Sequence, residues 1–409
     1  MGFKSKIMEF LFLIMLGTVS SIFAQEKGIH TQVVRLNDGR AIIDKAWFER
    51  QGIAGSDAKN INGASLIRIP DWLTKNERAD PSAQYYLYFS HHQGNYIRMA
   101  WSSSILGPYT LFNAGNQEDP SFPGKGVLDL GPEDKMEWVN GAKMQGHVAS
   151  PHVLLDSINQ QFILFIHAPS NGKGSSNFST ESQKTFIGVS HDGLNFNGSI
   201  SEEEMIGGIG AGQSGFGMVN QILANAYLKT FEYQGELYGF TNHGVIWKSP
   251  SKDKPWITAN SPIQDAWEEG KTSENPVFLN LKVIKTVDST RKEVSTPRHF
   301  TTRMRKDGHT LEVWYTSRGD APERIFRTTM DLRGNWMDWK TTLPHEEMLR
   351  PELEWEGVNL PVQASKNGAE NHVNQLRDPE LFQDVDGKWY LLYSGGGEDA
   401  IGIAAVIDN

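Results

Sequence analysis

Six of the 12 histidines, His91, His92, His147, His167, His243 and His299, stand at the start or end of an apolar run, where a strand would begin or finish. Tyr227, Arg68, Arg298, Arg318, Arg377, Asp378 and Glu398 occupy the same kind of position. An imidazole titrates at about 6.5, so it can give or take a proton near neutrality. A guanidinium fork pairs with a carboxylate through two hydrogen bonds. Together these types suit β-elimination on a uronic acid. Arginine neutralises the sugar carboxylate, a neutral His or a Tyr removes the C5 proton, and a second such group protonates the leaving oxygen. When that oxygen belongs to another sugar the reaction is a lyase cleavage; when it is a hydroxyl the reaction is a dehydration.

The elements that must position these residues are hairpins. Asn374 to Ser394 runs from polar residues into a strand, turns at Asp384–Gly387 and returns through Trp389–Tyr393, with an Asp-Gly turn between β-rich runs. The same unit recurs at Ser65–Ile69 with Tyr85–Ser90, at His152–Asp156 with Gln161–His167, at Tyr227–Phe240, and at Arg298–Met304 with Leu311–Tyr315. Five copies, each long enough for a four-stranded sheet, predict an all-β fold, a five-bladed β-propeller. In the first, Tyr96–Ser102 and a short strand in Gly107–Phe112 complete the blade. Gly244–Lys248 and Trp256 continue the third, and Glu323–Leu332 with Trp336–Trp339 the fourth. The last copy stops at Ile401–Val406 without an outer strand. Residues 31–50 form a spare strand pair, predicted to close the ring against residues 401–407. Helix content is expected to be low, with Trp138–Lys143, Ser201–Ile206 and Gln264–Gly270 as loops or single turns, and Gly207–Gly217 as a loop over the pocket.

Residues 1–24 read as a secretory signal peptide: Lys4 and Lys6 precede the apolar run Phe10–Leu16, and small residues lead to Ala24. That leaves 25–409 as a single propeller catalytic domain, exported to the periplasm or secreted, with no membrane anchor. The absence of cysteine excludes disulfides, thiolate metal sites, a cysteine nucleophile and a lipidated cysteine. A net charge of −10 argues against nucleic acid as a partner.

In an antiparallel blade, the start of the inner strand and the end of the second strand share one face of the disc. Read blade by blade, this groups Arg68 with His91 and His92, His147 and Ser150 with His167, Tyr227 and Lys229 with His243, Arg298 and His299 with Arg318, and Arg377 and Asp378 with Glu398. His92, His147, Tyr227 and His299 are the candidate catalytic residues. Arg68, His167, His243, Arg298, Arg318, Arg377 and Asp378 are the candidate substrate-binding residues. Trp72, Trp101 and Trp138 are candidates to stack on sugar rings. No cofactor is specified, although imidazoles converging on an axis could hold a metal ion. The structural alternatives are a core Tyr227, an Arg377–Asp378 ion pair at the ring closure, and a His147 bonded only to a loop carbonyl.

Asn62–Trp72, Tyr85–Arg98, Gly146–His152 and Leu376–Phe382 resemble exported bacterial proteins likened to glycoside hydrolase family 43, including relatives from the breakdown of ulvan-type, uronate-bearing algal polysaccharides. The resemblance spans nearly the whole chain beyond the leader. It implies five blades, an oligosaccharide or polysaccharide substrate, and inverting hydrolysis by carboxylates from the first three blades. The first blade offers only Asp71, the second His147 and Ser150, the third Tyr227 and Lys229. The sequence therefore favours elimination. The alternatives are a family 43-like glycosidase, with Asp71 or Asp378 as base and Glu398 or Glu380 as acid, and a sugar-binding propeller without chemistry.

Overall fold

Alternating apolar residues bounded by Gly, Asp and Asn turns give strands buried on both faces, and these pack as radial sheets. The computed structural model describes residues 30–112, 126–129, 143–144, 147–171, 183–197, 214–216, 224–249, 268–269, 296–343, 345–366 and 368–409. The expected leader, Trp138, Ser201–Ile206 and Trp256 lie outside them.

Five antiparallel sheets make the five blades of a β-propeller. From the axis outward, the first is Ile61–Arg68, Tyr85–His91, Tyr96–Ser102 and Thr110–Phe112, with Leu128–Asp129 also on the third strand. The second is Ala149–Asp156, Gln161–Asn171, Gln183–Ser190 and Ser214–Phe216; the third is Lys229–Tyr233, Glu236–Phe240, Ile246–Lys248 and Glu268–Glu269. The fourth is Thr296–Met304, Thr310–Arg318, Ile325–Asp331 and Glu346–Leu349. The fifth is Asn371–Gln383, Trp389–Gly397 and Ala400–Asp408, and its outer strand is Thr31–Arg35 from the other end of the chain. Thr31 pairs with Asp408 and Arg35 with Ala404, so the first strand closes the ring as expected.

Three outer strands differ from the sequence reading. Ser214–Phe216, inside the Gly-rich run, pairs with Gly188–Ser190. Glu268–Glu269 pairs with Trp247 and Lys248, and Glu346–Leu349 takes the place expected of Trp336–Trp339, which is a 3-10 turn. Two-residue and edge strands carry too little periodicity to be seen in sequence. Of the spare strand pair only the first member is a strand. Ile43 makes a single bridge to Ile401, and Lys45–Arg50 turns into a helix capped by the Asp44 side chain on the Trp47 amide. That helix buries Trp47 and Phe48 among Phe89, Leu392 and Ile403, at the seam between the first and last blades. Similar apolar seams join blades one and two through Tyr88, Phe162 and Phe196, blades three and four through Phe240, Phe300 and Tyr315, and blades four and five through Trp314, Leu376 and Leu391. At about 1.5–3 kcal/mol per fully buried large side chain, these seams carry most of the driving force for closing the disc.

The inner strands share one irregularity that sets up the site. In blade one Asn62 pairs with Ser90 and Ser65 with Tyr88, so three steps along the inner strand oppose two on its partner. The same extra residue separates Ala149 from His152, Arg298 from Thr301, and Arg377 from Glu380. In blade three the Asn242 amide bonds the Ala226 carbonyl and Lys229 pairs with Phe240, which is again three against two. The residue entering each bulge has positive φ: Gly63 (65°), Ser150 (48°), Tyr227 (65°), His299 (54°) and Asp378 (48°). Bulges re-aim a side chain, and here five of them do so around one axis.

Candidate active site at the propeller axis

The five bulges surround a small cavity lined by Gly63, Ala64, Ser150, Tyr227, Lys229, His299, Phe300, Asp378 and Pro379. Gly63 is required for closeness: a Cβ there would lie 2.3 Å from Ser150 Cα. The other four positions hold side chains in a backbone region that costs about 1–3 kcal/mol per residue and is retained mainly at functional sites.

A chain of rings runs around the axis. The His92 and His147 centroids are 5.2 Å apart, His147 and His167 6.0 Å, His167 and Tyr227 4.2 Å, and Tyr227 and His299 4.7 Å. Of the two adjacent histidines, His92 faces the axis, while His91 bonds the Ser56 carbonyl and packs on Tyr96. Burial, reinforced by His92, lowers His147 to about 4, and burial holds His167 and His299 well below the usual imidazole range. All three are therefore neutral at pH 7. Burial pushes the Tyr227 hydroxyl up to about 12, so it keeps its proton. Burial, then the nearby Glu398 charge, raises Asp378 to about 6. Burial would raise Glu398 as well, but His92 and Arg377 outweigh it and hold that carboxyl low. His92 Nδ1 lies 2.7 Å from Glu398 Oε2. His299 Nε2 lies 3.5 Å from Asp378 Oδ1, and the Asp378 amide donates to His299 Nδ1 at 3.4 Å.

Below this ring, two residues further along each inner strand, stand Ser65, His152, Lys229, Thr301 and Glu380. Lys229 donates to Glu380 Oε2 at 2.8 Å, and the other Glu380 oxygen accepts from Ser65 at 3.3 Å. Several buried polar atoms around the axis lack a partner among the described residues, including Ser150 Oγ, Asp378 Oδ2, His152 Nδ1 and both ring nitrogens of His167. A buried polar atom left unpaired costs about 1–3 kcal/mol, so this cluster marks where a ligand or water belongs.

The arginines are not where the sequence reading needs them. Arg377 is fully buried and bonded to Glu398 at 3.0 Å, to Gln375, to Glu370 and to the Gly368 carbonyl, with Glu323 at 3.3 Å. Arg298 holds Glu323 at 2.9 and 2.5 Å and the Lys366 carbonyl. Arg377 has all five N–H groups bonded, and the bidentate fork of Arg298 is taken by Glu323, so neither presents a free fork to a substrate carboxylate. The Arg377–Asp378 ion pair is not formed, because Arg377 turns to the glutamates instead. Arg68 ends its strand at the opposite face, bonded to Tyr85 and Asp384. Asp71, the expected base of the hydrolase alternative, is exposed just beyond it. His243 is exposed in a 3-10 turn, within electrostatic reach of the half-buried Arg318, and neither lines the cavity. Trp72 and Trp101 pack into the seam of blades one and two instead of facing a sugar. Glu323 and Glu370, which take up the arginines, have no motif that would single them out. Among the described residues no group of three or more His, Asp or Glu is placed to hold a metal ion.

No family model matches the chain. Uncharacterized protein R118 of Acanthamoeba polyphaga mimivirus is 29% identical over 349 residues, covering 84% of this chain and 82% of its own length. Among solved structures, an α-L-arabinofuranosidase from Lactobacillus brevis is similar at 10% identity and TM-score 0.49, over 87% of this chain and 93% of its own. An endo-arabinase from Bacteroides thetaiotaomicron VPI-5482 is similar at 14% identity and TM-score 0.44, over 86% and 95%. A thermostable family-43 glycoside hydrolase is similar at 11% identity and TM-score 0.47, over 86% and 89%. The five-bladed architecture itself stands on this chain's own strand pairing.

Proposed function

We propose that the protein is a carbohydrate-active enzyme of glycoside hydrolase type, acting on an oligosaccharide by acid–base chemistry at the propeller axis. The observation that carries this reading is Asp378. It is a buried carboxyl in a strained bulge, with one oxygen unpaired and its titration moved to about 6, close to the pH at which a general base is most useful. Above that pH it takes a proton from the attacking nucleophile. Tyr227, half-buried on the same cavity and protonated, gives one to the leaving oxygen. His299 lies between them, facing Asp378 through Nε2 and packing on the Tyr227 ring, and offers a path for the proton to return. Glu398, with an oxygen on His92 and the other on Arg377, acts by fixing the His92 ring rather than by touching substrate. The leader expected of residues 1–24 makes this an exported enzyme.

β-Elimination on a uronate is the second reading. Arg298 and Arg377 no longer supply its carboxylate clamp, and one observation favours it: His147 is neutral and half-buried beside His92, as a carbon-proton base should be. Incubation with neutral pentoside and uronate oligosaccharides in 18O-water separates the two. Hydrolysis adds one labelled water to the product, whereas elimination yields an unsaturated uronate absorbing in the near ultraviolet and takes up no label. Binding with neither outcome would leave a sugar-binding propeller and sink both readings.

A further inference from the structure

The axial cavity is too small for a sugar ring. Its volume is ≈ 10 Å³, about what one water centre occupies. A buried water also needs two to four polar partners, and three stand here. Ser150 Oγ and Asp378 Oδ2 are unpaired among the described residues, in side chains only 7% and 6% exposed. Lys229 also lines the cavity. Its ammonium has three donors, of which one goes to Glu380 and one to the Pro151 carbonyl at 3.4 Å. The five-fold bulge explains the gap. Position one, beside Asp378 in the ring, carries no side chain and position two carries a small one, so space is left between Asp378 and Ser150, while Tyr227 and His299 fill the other side.

We infer that this cavity holds the nucleophilic water of the reaction, with Ser150 and Lys229 as the positioning residues that aim it between Asp378 and the sugar. The inference rests on the hydrolytic reading above. Lys229 donates to the water oxygen, and the water donates one proton to Asp378 Oδ2. In the reaction that proton passes to Asp378 while the oxygen bonds to the anomeric carbon. The bond from that carbon to the leaving oxygen breaks, its electron pair stays on the oxygen, and Tyr227 protonates it. The sum is glycoside plus water giving a hemiacetal, the new reducing end, and an alcohol. The Lys229–Glu380 pair keeps the ammonium in place, so the floor of the cavity is a fixed donor instead of a mobile side chain.

A high-resolution crystal structure of the full chain tests the site without a substrate. The expected result is one ordered water within hydrogen-bond distance of both Ser150 Oγ and Asp378 Oδ2; a cavity filled by a side chain would overturn the proposal. Kinetics test its role. Ser150→Asn tolerates the left-handed backbone and fills the space, so kcat should fall about 100-fold, the order of a misplaced reactant, with KM nearly unchanged. Ser150→Gly leaves the room and removes one partner, so the loss should stay within about tenfold. Melting curves confirm that both variants fold. If label from 18O-water enters the product while both variants turn over normally, hydrolysis stands and this water site falls. If no label enters any product, the hydrolytic reading itself has failed.

Discussion

Two buried acids, Glu312 and Asp378, show how differently one chain treats the same chemistry. Glu312 lies where the fourth blade meets the fifth, and it is saturated. Arg303 reaches it at 2.8 Å, Arg305 at 3.0 Å, Arg327 at 3.3 Å and the Trp314 indole at 3.1 Å. Burial would raise its carboxyl, but the arginines win and hold it below its usual value. Asp378, equally buried, has one oxygen beside His299, the other unpaired among the described residues, and a raised pKa. The lesson is that burial alone does not mark function. A buried charge with every lone pair answered is masonry, and one left unanswered in a strained backbone is poised to react.

The comparison breaks most visibly if Asp378 can be neutralised without consequence. Asp378→Asn should lower turnover by about 10²–10⁴, the usual worth of a general base; near-normal rates on a substrate the wild type cleaves would remove Asp378 from the chemistry. Glu312→Gln should do the opposite. It leaves Arg305 without a carboxylate and Arg303 and Arg327 with only Asp408 and Glu346, and should cost about 3–5 kcal/mol in denaturant unfolding, while the surviving folded enzyme keeps its kcat. The third effect has its sign set by linkage. The folded Asp378 holds its proton up to about pH 6, against 3.8 as a free side chain. Between those values the folded state binds the extra proton, so its stability falls as pH rises across that window and stays reduced above it. Asp378→Asn should therefore unfold about 3 kcal/mol harder than wild type at pH 7 and nearly equally at pH 4. Wild-type turnover should climb through about pH 6 as the carboxyl ionises. The smallest expected effect is at Arg68. Its side chain is 36% exposed in its pair with Asp384, so Arg68→Ala should change stability by less than about 1 kcal/mol and leave activity alone.

The blades were legible in the sequence because each inner hairpin repeats apolar alternation around a turn, and the ring closure because Ile401–Val406 lacked a neighbour while Thr31–Arg35 was spare. His92, His147, Tyr227 and His299 could be placed near one axis from strand polarity alone. The roles of the arginines could not. Whether Arg377 meets a substrate or a glutamate depends on Glu370 and Glu398 folding back over it, contacts set by turns with no local pattern. Arg68 was misplaced for a simpler reason: it ends its strand, and strand ends alternate between the two faces of the disc. The bulges were hidden as well. Ser150-Pro151 and Asp378-Pro379 look alike, but Gly63-Ala64, Tyr227-Leu228 and His299-Phe300 share only a backbone shape, which pairing registers reveal and residue identities do not.

The clasp between the two chain ends dictates an order of assembly. Thr31 and Asp408, joined by a 2.7 Å hydrogen bond, are 377 positions apart. During synthesis the earliest strand of the disc therefore waits for the latest, and blades one to four can form while the ring is still an open arc. That arc bares the apolar flanks of its first and last blades, where Trp47, Phe48, Leu392 and Ile403 will meet. Closure is the longest-range step in the molecule, and contacts of such separation form late. A holdase that shields residues 31–50 until Ala400–Asp408 has emerged would guard the seam most exposed to sticking. Removing the nine residues of that last strand should trap the protein as an arc that binds hydrophobic dyes and aggregates.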